Sequence, residues 1–264
     1  MISVVCVYNN KDVLDRCLAP SLEKQTAPHE RILLDNTGRR FRSAAEALNF
    51  GARSARGKYI MFIHHDMAIG APGWLEEVER TLDALPNLGA AGAAGVAGGS
   101  GVFSNISHCD PPKPAGDWRI DAPVKVQTLD ECALIVPAEV FKGVGFDEKA
   151  CDNWHLYGVE YCLGCGERGL DVYAIPMAAH HMTFSTGSNR GRVFSPGVLP
   201  EAYYGTLRKI LKKHRRQYRR VYTTCGVWDT AYPVFLQRAY YILFSYALYY
   251  RARLSRSRRV PRGD

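Results

Sequence analysis

Long hydrophobic runs are missing from this sequence of 264 residues, and so is the cysteine pattern of a disulfide-stapled scaffold. The most membrane-like stretch, 239–250, is far shorter than the roughly 20 residues that a spanning helix needs. The eight cysteines are spread through predicted strands and helices, so we expect free, mostly buried thiols in a reducing, cytoplasmic compartment. The chain starts with a strand pattern instead of an export signal, so we expect no secretion.

Two patterns that often bind cofactors are incomplete. Residues 88–101 are rich in glycine and alanine, but they lack both the Gly-Lys-Ser/Thr ending of a P-loop and the G-x-G-x-x-G spacing of a dinucleotide site. We interpret them as a tightly packed strand and loop, with a nucleotide cradle as the weaker alternative. Cys162 and Cys165 form a single C-x-x-C without a second ligand pair at zinc spacing, so we favour a plain helix over a metal or redox role.

The excess positive charge is confined to the C-terminal part of the chain. The whole sequence has 34 Lys/Arg and 26 Asp/Glu, a net charge of +8. Residues 205–264 hold 15 of the basic and 2 of the acidic residues, a net of +13, which leaves 19 basic and 24 acidic residues, a net of −5, for 1–204. We therefore predict a main domain over 1–200 and a basic, aromatic-rich helical region over 201–264.

The C-terminal region contains two segments with helical spacing. Residues 201–220 are basic, and 231–253 are rich in aromatic residues and lead into six arginines from Arg251 onward. Aromatic and arginine side chains together suit an anionic lipid interface, which predicts peripheral attachment to a membrane. A helix that packs across the domain and ends in a disordered basic tail is an equal alternative. RNA binding is a weaker one, because no recognition module is present.

Strands and helices alternate through the first 66 residues. The apolar runs 2–8, 31–35 and 57–63 predict buried strands, and helical spacing follows the first run. Ser43 and Glu46 form a capping box that starts a second helix. This order indicates an α/β protein with a doubly wound, mostly parallel sheet and helices on both faces.

Polar side chains lie at the ends of these strands, in the groups Tyr8-Asn9-Asn10, Asp35-Asn36 and His64-His65-Asp66. Open α/β sheets bind ligands at the carboxyl ends of their strands, so we expect a site there. Alternate side chains of an extended segment share a face, which places His64 and Asp66 on one site and turns His65 away. An imidazole with a carboxylate suits Mn²⁺, and the carboxylate alone suits Mg²⁺. A solvated turn is the alternative.

Two further groups of polar residues could contribute to that site. His180 and His181 follow a later predicted strand, where a second histidine ligand could approach the same metal, although a structural role is the more common one for such a pair. Glu160 lies on a predicted helix near Asp152 and His155, and a carboxylate at a cleft can deprotonate an attacking hydroxyl. A solvated helix face is the alternative for Glu160.

The pattern as a whole resembles glycosyltransferases of the family-2 type with the GT-A fold, and within them most closely the streptomycin-biosynthesis-like group. The resemblance covers residues 1–190. The stretches that carry it are 3–9, 34–38, 43–51, 58–66, 145–148, 154–162 and 181–185. It implies transfer of a sugar from a nucleotide-sugar donor.

The resemblance also implies roles for the strand-end residues. Tyr8 and Asn9 would lie beside the nucleotide, and Asp35 would accept a hydrogen bond from its base. Asp66 matches the metal-binding carboxylate of the family's D-x-D motif. His64 replaces the first aspartate of that motif, as in relatives with an H-x-D version.

Two further implications concern the metal and the base. His181 matches a histidine that completes the metal or diphosphate site, with Mn²⁺ or Mg²⁺ as the cofactor. Many relatives carry an acidic pair at the start of the helix, where this chain has Gly158 and Glu160. Glu160 is the predicted general base of an inverting displacement, with Asp152 and His155 in reserve.

Residues 127–136 predict a further strand before a helix. Asp130 and Glu131 on this strand are candidates to line the acceptor pocket, with a strand-edge position as the equal alternative. The predicted acceptor is a glycan or lipid-linked precursor, and nucleic acid is not expected as a partner. Because Gly158 departs from the family pattern, a catalytically inactive nucleotide-binding or membrane-associated protein on the same fold is the alternative function.

Overall fold

The computed structural model describes residues 1–109, 111–182 and 197–257. Residues 183–185 of the last matching stretch, and Arg258, Arg259 and Arg262 of the basic tail, lie outside the described residues. The described strands are β1 (Ile2–Tyr8), β2 (His29–Asp35), β3 (Tyr59–Ile63), β4 (Met67–Ile69), β5 (Leu88–Gly92), β6 (Ala94–Val96), β7 (Val102–Ser104), β8 (Ile106–His108), β9 (Lys113–Pro114), β10 (Val124–Lys125), β11 (Thr128–Leu129), β12 (Ala133–Pro137), β13 (Asp171–Ala174), β14 (Ala179–His181), β15 (Arg220–Thr223) and β16 (Gly226–Asp229). The described helices are α1 (Lys11–Arg16), α2 (Leu18–Glu23), α3 (Ala44–Ala52), α4 (Trp74–Asp83), α5 (Ala138–Val144), α6 (Tyr157–Glu167), α7 (Glu201–His214) and α8 (Val234–Ser257).

A seven-stranded sheet forms the centre of the fold, in the order β10-β13-β5-β12-β3-β1-β2. β1 pairs in parallel with both β2 and β3, and β13 pairs in parallel with β5. β12 runs antiparallel between β3 and β5, and β10 runs antiparallel at the edge. Five of the seven strands therefore point the same way, which confirms the predicted mostly parallel α/β sheet.

β1 and the helix α3 that packs on it show how local sequence determines these elements and their packing. Residues 2–6 of β1 are all buried, as expected for a central strand covered on both faces. Ser43 caps α3, because its Oγ accepts a hydrogen bond from Glu46 N at 3.1 Å. A Cβ on Gly51 would lie 2.7 Å from Val5 Cγ1, so this glycine lets α3 approach β1 closely.

A second sheet, in the order β4-β14-β8-β9, begins where β3 ends. Only the turn at 64–66 separates β3 from β4. β14 pairs antiparallel with β4 and parallel with β8, so that His181 is the register partner of both Met67 and His108. The junction of the two sheets therefore gathers the polar residues that follow β3 and those of β14.

The C-terminal region is not wholly helical and does not have a core of its own. The predicted basic helix ends at His214, and the chain continues into the hairpin β15–β16. Tyr204, Leu207 and Trp228 belong to the same buried cluster as the sheet residues Leu134 and Val136. The boundary at residue 200 thus does not separate two cores. Within the described residues, none of the helices combines the length and the hydropathy that crossing a bilayer requires.

Candidate metal and nucleotide site

Three side chains converge at the junction of the two sheets. One ligand atom from each of His64, Asp66 and His181 lies within 4.8 Å of the other two. His181 Nε2 is 3.1 Å from Asp66 Oδ1, and these two side chains are only 15% and 17% exposed. The turn after β3 supplies two members and β14 supplies the third, so the structure brings together the three residues that the sequence proposed for the metal.

The three groups hold one another in defined protonation states. Burial, with a smaller contribution from the neighbouring His181, lowers the pKa of His64 to about 4, so His64 is neutral at physiological pH. Burial also lowers the pKa of His181, but the hydrogen bond to Asp66 and its charge outweigh burial and raise it above the usual value. Burial raises the pKa of Asp66, and its hydrogen bond with His181 and the histidine charges turn the balance downward. A cation between these groups would exchange for the His181 proton.

The predicted orientation of His65 is wrong. β3 ends at Ile63, and residues 64–66 form a turn that Met67 N closes on His64 O at 3.2 Å. Side chains alternate between faces only in extended backbone, so the rule does not apply here. His65 lines the same cavity as His64 and Asp66.

This cavity has a volume of about 240 Å³. Its walls come from the ends of β1, β2 and β3 and from the segment before α6: Val7, Asn9, Asn36, Ala44, His64, His65, Asp66, Trp154 and Tyr157. The sequence analysis placed Asn36 among the strand-end residues without a specific role, and it assigned no role to Trp154 or Tyr157. Two aromatic residues within a matching stretch were a usable signal, whereas Asn36 gave none beyond its place after a strand.

Asn36 stabilises the loop that borders the cavity. Its Oδ1 accepts a hydrogen bond from Phe41 N at 2.7 Å, and its Nδ2 donates to Phe41 O at 3.2 Å. Asn36 is 5% exposed, so both bonds lie away from solvent. A buried amide with two backbone bonds fixes the loop rigidly beside the site.

Tyr8 and Asp35 are neighbours on adjacent strands, as parallel register partners. Asp35 Oδ1 accepts hydrogen bonds from Thr37 N and Thr37 Oγ1, both at 2.7 Å. The Thr37 bonds, with a smaller contribution from Tyr8, lower the pKa of Asp35. Asp35 does not line the cavity but directly precedes Asn36, which does, so an exposed carboxylate lies at its rim.

The structure places Glu160 in an ion pair between two helices and outside the cavity lining. Its side chain is 5% exposed and points to α7, where it contacts Lys213 and lies 3.4 Å from His214 Nε2. Burial raises the pKa of Glu160, but interactions with His214 and Lys213 outweigh it and lower the pKa. Glu160 is absent from the cavity lining. It is a buried ion-pair partner that joins α6 to α7.

The two reserve candidates also lie outside the cavity lining. Asp152 is exposed and pairs with Lys209 of α7 at 2.6 Å. The His155 ring packs edge-on to Tyr203 with 6.0 Å between centroids, and burial lowers its pKa. Both residues therefore contact α7, as Glu160 does.

Glu131 occupies the space beside Gly158. Glu131 Oε1 accepts a hydrogen bond from Gly158 N at 3.1 Å, at the first turn of α6. A Cβ on Gly158 would lie 3.0 Å from Glu131 Cγ, so a larger residue at 158 would displace the glutamate. Burial and the charge of Asp130 raise the pKa of Glu131 to about 8, against the lowering effect of backbone N–H groups. Glu131 does not line the cavity either, but its carboxylate lies next to position 158, where this chain has no side chain beyond Cα.

The Tyr157 hydroxyl connects Glu131 to the metal cluster. It lies 3.3 Å from the carbonyl oxygen of Glu131 and 3.4 Å from His64 Nε2. The main chain at Glu131 is therefore one hydroxyl group away from a member of the cluster. The predicted single strand over 127–136 is interrupted here, because β11 ends at Leu129 and β12 begins at Ala133.

Asp130 is fixed by the C-terminal hairpin. Its Oδ2 accepts from Thr224 Oγ1 at 2.8 Å, and its Oδ1 accepts from Cys132 N at 3.0 Å. Burial raises the pKa of Asp130, and these hydrogen bonds outweigh burial and lower it. Asp130 is thus an ionised, well-anchored carboxylate near the histidines.

The sequence analysis missed His108. Its ring centroid is 5.1 Å from that of His181, on the strand parallel to β14. His108 Nδ1 is buried and has no hydrogen-bond partner among the described residues. Burial lowers its pKa, and the proximity of His181 lowers it further. No motif surrounds position 108, so only the pairing of two distant strands reveals it.

Neither protein-family profiles nor curated protein sequences give a match to this chain. Several solved structures, in contrast, are similar to this chain. TarS from S. aureus, in complex with UDP-GlcNAc, has a TM-score of 0.53 at 15% identity over 80% of this chain and 65% of its own. GalNAc-T7 with UDP, GalNAc and Mn²⁺ has a TM-score of 0.59 at 12% identity, covering 80% of this chain and 48% of that one.

A third similar structure is the mannosyltransferase PcManGT from Pyrobaculum calidifontis with GDP-Man and Mn²⁺. Its TM-score is 0.53 at 14% identity, covering 82% of this chain and 64% of that one. This chain therefore spans between about half and two thirds of the length of these three proteins. Identities this low establish the architecture alone. The chain has the GT-A fold, which it shares with these glycosyltransferases.

Proposed function

We propose that this chain is a metal-dependent glycosyltransferase that moves a sugar from a nucleoside-diphosphate donor to an acceptor hydroxyl. The His64–Asp66–His181 cluster carries the proposal, because it lies at a strand end of a fold whose solved examples hold UDP-GlcNAc, UDP with Mn²⁺, or GDP-Man with Mn²⁺. Two imidazole nitrogens and one carboxylate oxygen suit Mn²⁺ better than Mg²⁺. The bound ion would supply Lewis-acid stabilisation of the leaving diphosphate.

The nucleotide would lie across the ends of β1 and β2. Asn9 lines the cavity, and Tyr8 and Asp35 adjoin it. The lowered pKa of Asp35 keeps its carboxylate ionised, and an ionised acceptor forms strong hydrogen bonds with the N–H group of a base. This arrangement supports a nucleotide position at the exposed rim, with the diphosphate toward Asp66.

Glu131 is the general base in this proposal, in place of Glu160. Its carboxylate would take the proton of the acceptor hydroxyl while that oxygen bonds to the anomeric carbon and the bond to the diphosphate breaks, which inverts the configuration. Three observations support Glu131: its contact with Gly158, its link to His64 through Tyr157, and its raised pKa. Asp130, anchored beside it, would contribute to binding the acceptor.

The finer parts of the assignment stay predictions. A glycan or lipid-linked precursor as acceptor follows from the resemblance of the sequence, and so does membership of the streptomycin-biosynthesis-like group. One observation favours a second function, a nucleotide-binding protein without transferase activity: position 158 has no carboxylate. Glu131 is the residue on which the two hypotheses differ.

A donor-turnover assay distinguishes the transferase from a nucleotide-binding protein without activity. The full chain is incubated with UDP-, GDP-, dTDP- and CDP-sugars and Mn²⁺, and hydrolysis or transfer is followed by release of the nucleoside diphosphate. We expect turnover with one nucleotide class, lost in Asp66→Ala and reduced about 10²–10⁴-fold in Glu131→Gln. Glu160→Gln is the matched control and should keep its turnover below its unfolding temperature. Equal rates in wild type and Glu131→Gln would contradict the assignment of Glu131 as the base. Absence of turnover with every donor would contradict the assignment of transferase activity.

A further inference from the structure

Helix α8 exposes an apolar face to solvent. The exposed residues of its described first turns recur at helical spacing, and every one of them is apolar: Phe235, Leu236, Ala239, Tyr240, Leu243 and Phe244. Phe235 is 66% exposed and Leu243 is 70% exposed. We call these six residues the α8 stripe. A surface helix normally exposes its polar face, so the stripe points to a partner outside the fold.

The opposite face of α8 packs against the protein through polar and aromatic side chains. Gln237 Oε1 accepts from Asp229 N at 2.7 Å, and Arg238 pairs with Glu201 and lies 4.4 Å above the Tyr204 ring. The Tyr241 ring packs on Trp228 with 5.2 Å between centroids. The stripe is therefore not needed to dock α8, and its apolar character requires another explanation.

The hairpin β15–β16 extends the apolar surface. Val227 and Tyr232 are exposed beside the stripe. Together with Leu236 and Tyr240 they line a groove of about 380 Å³, which Arg220, Asp229 and Gln237 border. The apolar surface is thus continuous from the hairpin onto the helix, and it is larger than a single exposed side chain would give.

Positive charge borders this surface on the hairpin side, and further arginines follow it in the sequence of α8. Arg219 and Arg220 are exposed on the hairpin side and share a single carboxylate partner, Asp229, at 3.2 and 4.0 Å. At the other end the sequence of α8 continues with Arg251, Arg253 and Arg256 before its last residue. An apolar stripe with arginines at its ends fits acyl chains beside anionic headgroups. Two copies of the chain would bring these arginines together, which disfavours self-association through this face.

We propose that the α8 stripe docks on an anionic membrane surface, with the helix in the plane of the interface. The helix has 24 residues and is roughly 36 Å long at about 1.5 Å per residue. The stripe enters the boundary between headgroups and acyl chains, and Arg219 and Arg220 contact lipid phosphates. The surface lies outside the metal and nucleotide site, so the proposal holds or fails independently of the transferase assignment.

Vesicle co-sedimentation tests the proposal on the full chain, without donor or metal. We expect binding to phosphatidylcholine vesicles that contain phosphatidylglycerol, and weak binding to phosphatidylcholine alone. Leu243→Glu and Phe235→Glu should each weaken binding about tenfold or more, because each removes a large apolar contact and adds a repelled charge. Ala84→Glu is the matched control, since it adds the same charge at an exposed apolar residue outside the stripe. It should leave binding unchanged.

Three outcomes would overturn the proposal. The first is no binding of the wild type to anionic vesicles, and the second is equal loss of binding in Ala84→Glu and Leu243→Glu. The third is a concentration-dependent dimer in sedimentation velocity that Leu243→Glu dissociates while vesicle binding is absent, which would assign the stripe to a second copy. Because all variant positions are exposed, thermal midpoints equal to that of the wild type will show that the fold is intact.

Discussion

Glu131 and Glu160 show how neighbouring groups give two glutamates of one fold opposite acidities. Glu131 has Asp130 beside it, and burial with that charge raises its pKa to about 8. Glu160 meets Lys213 and His214, which hold its pKa below the usual value despite burial. Carboxyls whose environments push their pKa values apart often have different roles. The raised pKa of Glu131 agrees with the proton acceptor of the proposed transferase, and the lowered pKa of Glu160 agrees with its ion pair to Lys213.

The pH dependence of turnover follows from Glu131. A general base works only when deprotonated, so we expect kcat/KM of the proposed transferase to rise with pH and to level off above about 8. Initial rates across the pH range measure this, with Glu160→Gln as control. A wild-type profile that is flat through pH 8 would exclude Glu131 as the base.

At the scale of elements, α6 and α7 are joined through buried charges. His214 of α7 is fully buried, with Nδ1 2.7 Å from Glu167 and Nε2 3.4 Å from Glu160. Burial lowers the pKa of His214, but the two glutamates outweigh burial and raise it. Lys213 contacts Glu160 and lies 2.6 Å from Asp147, so one cation links α6 to the segment that follows α5. The packing of α7 on α6 therefore depends on protonation.

This contact predicts a pH-dependent stability difference. Because the folded pKa of His214 is raised, its stabilising contribution is complete below the unfolded value of about 6.5 and is lost as pH rises through the folded value. Glu160, Glu167, Lys213 and Tyr218 face His214, and Glu160, with its lowered pKa, loses its own contribution only at acidic pH. Thermal midpoints of wild type and His214→Gln should differ at about pH 6 and converge at about pH 9. A constant difference over that range would contradict the role of the His214 charge.

At the scale of the whole molecule, the C-terminal region completes both the core and the site. Trp228 is fully buried and packs against Tyr203 and Tyr204, and Thr224 fixes Asp130. The hairpin is also hydrogen-bonded to the residue before β11, because Gln127 Oε1 accepts from Tyr222 N at 2.8 Å. Residues on both sides of position 200 therefore share one hydrophobic core against the central sheet, and we predict that they unfold together.

Truncation tests whether residues 1–200 fold without the C-terminal region. A chain that ends at residue 200 exposes the apolar surface that α7 and β15–β16 cover, so we expect it to lose cooperative unfolding in calorimetry. The milder variant Trp228→Ala should remain folded but lose about 3–5 kcal/mol of stability, as large-to-small core substitutions do. A truncated chain with a sharp transition at the wild-type temperature would show that 1–200 is a domain on its own.

The sequence predicts those parts of the fold that local patterns determine. The run of β-branched residues in β1, the capping residue Ser43 and the polar residues after β3 are local signals, and the structure shows the corresponding elements. The orientation of His65 and the environment of Glu160 are not local. The first depends on where β3 ends, and the second on which helix packs against α6. Likewise, only strand pairing brings His108 to His181, and only the missing side chain of Gly158 gives Glu131 its position.

Metal-dependent nucleotide binding tests the central claim most directly. Thermal midpoints of the full chain are measured with UDP, GDP, dTDP and CDP, each with and without Mn²⁺, for wild type and Asp66→Ala. A ligand that binds the folded state raises the midpoint according to RT ln(1 + [L]/Kd). We predict that one nucleotide raises the wild-type midpoint only with Mn²⁺ and leaves Asp66→Ala unchanged. The same nucleotide-induced rise in both proteins, or no rise with any nucleotide, would contradict a metal-bridged diphosphate at His64, Asp66 and His181.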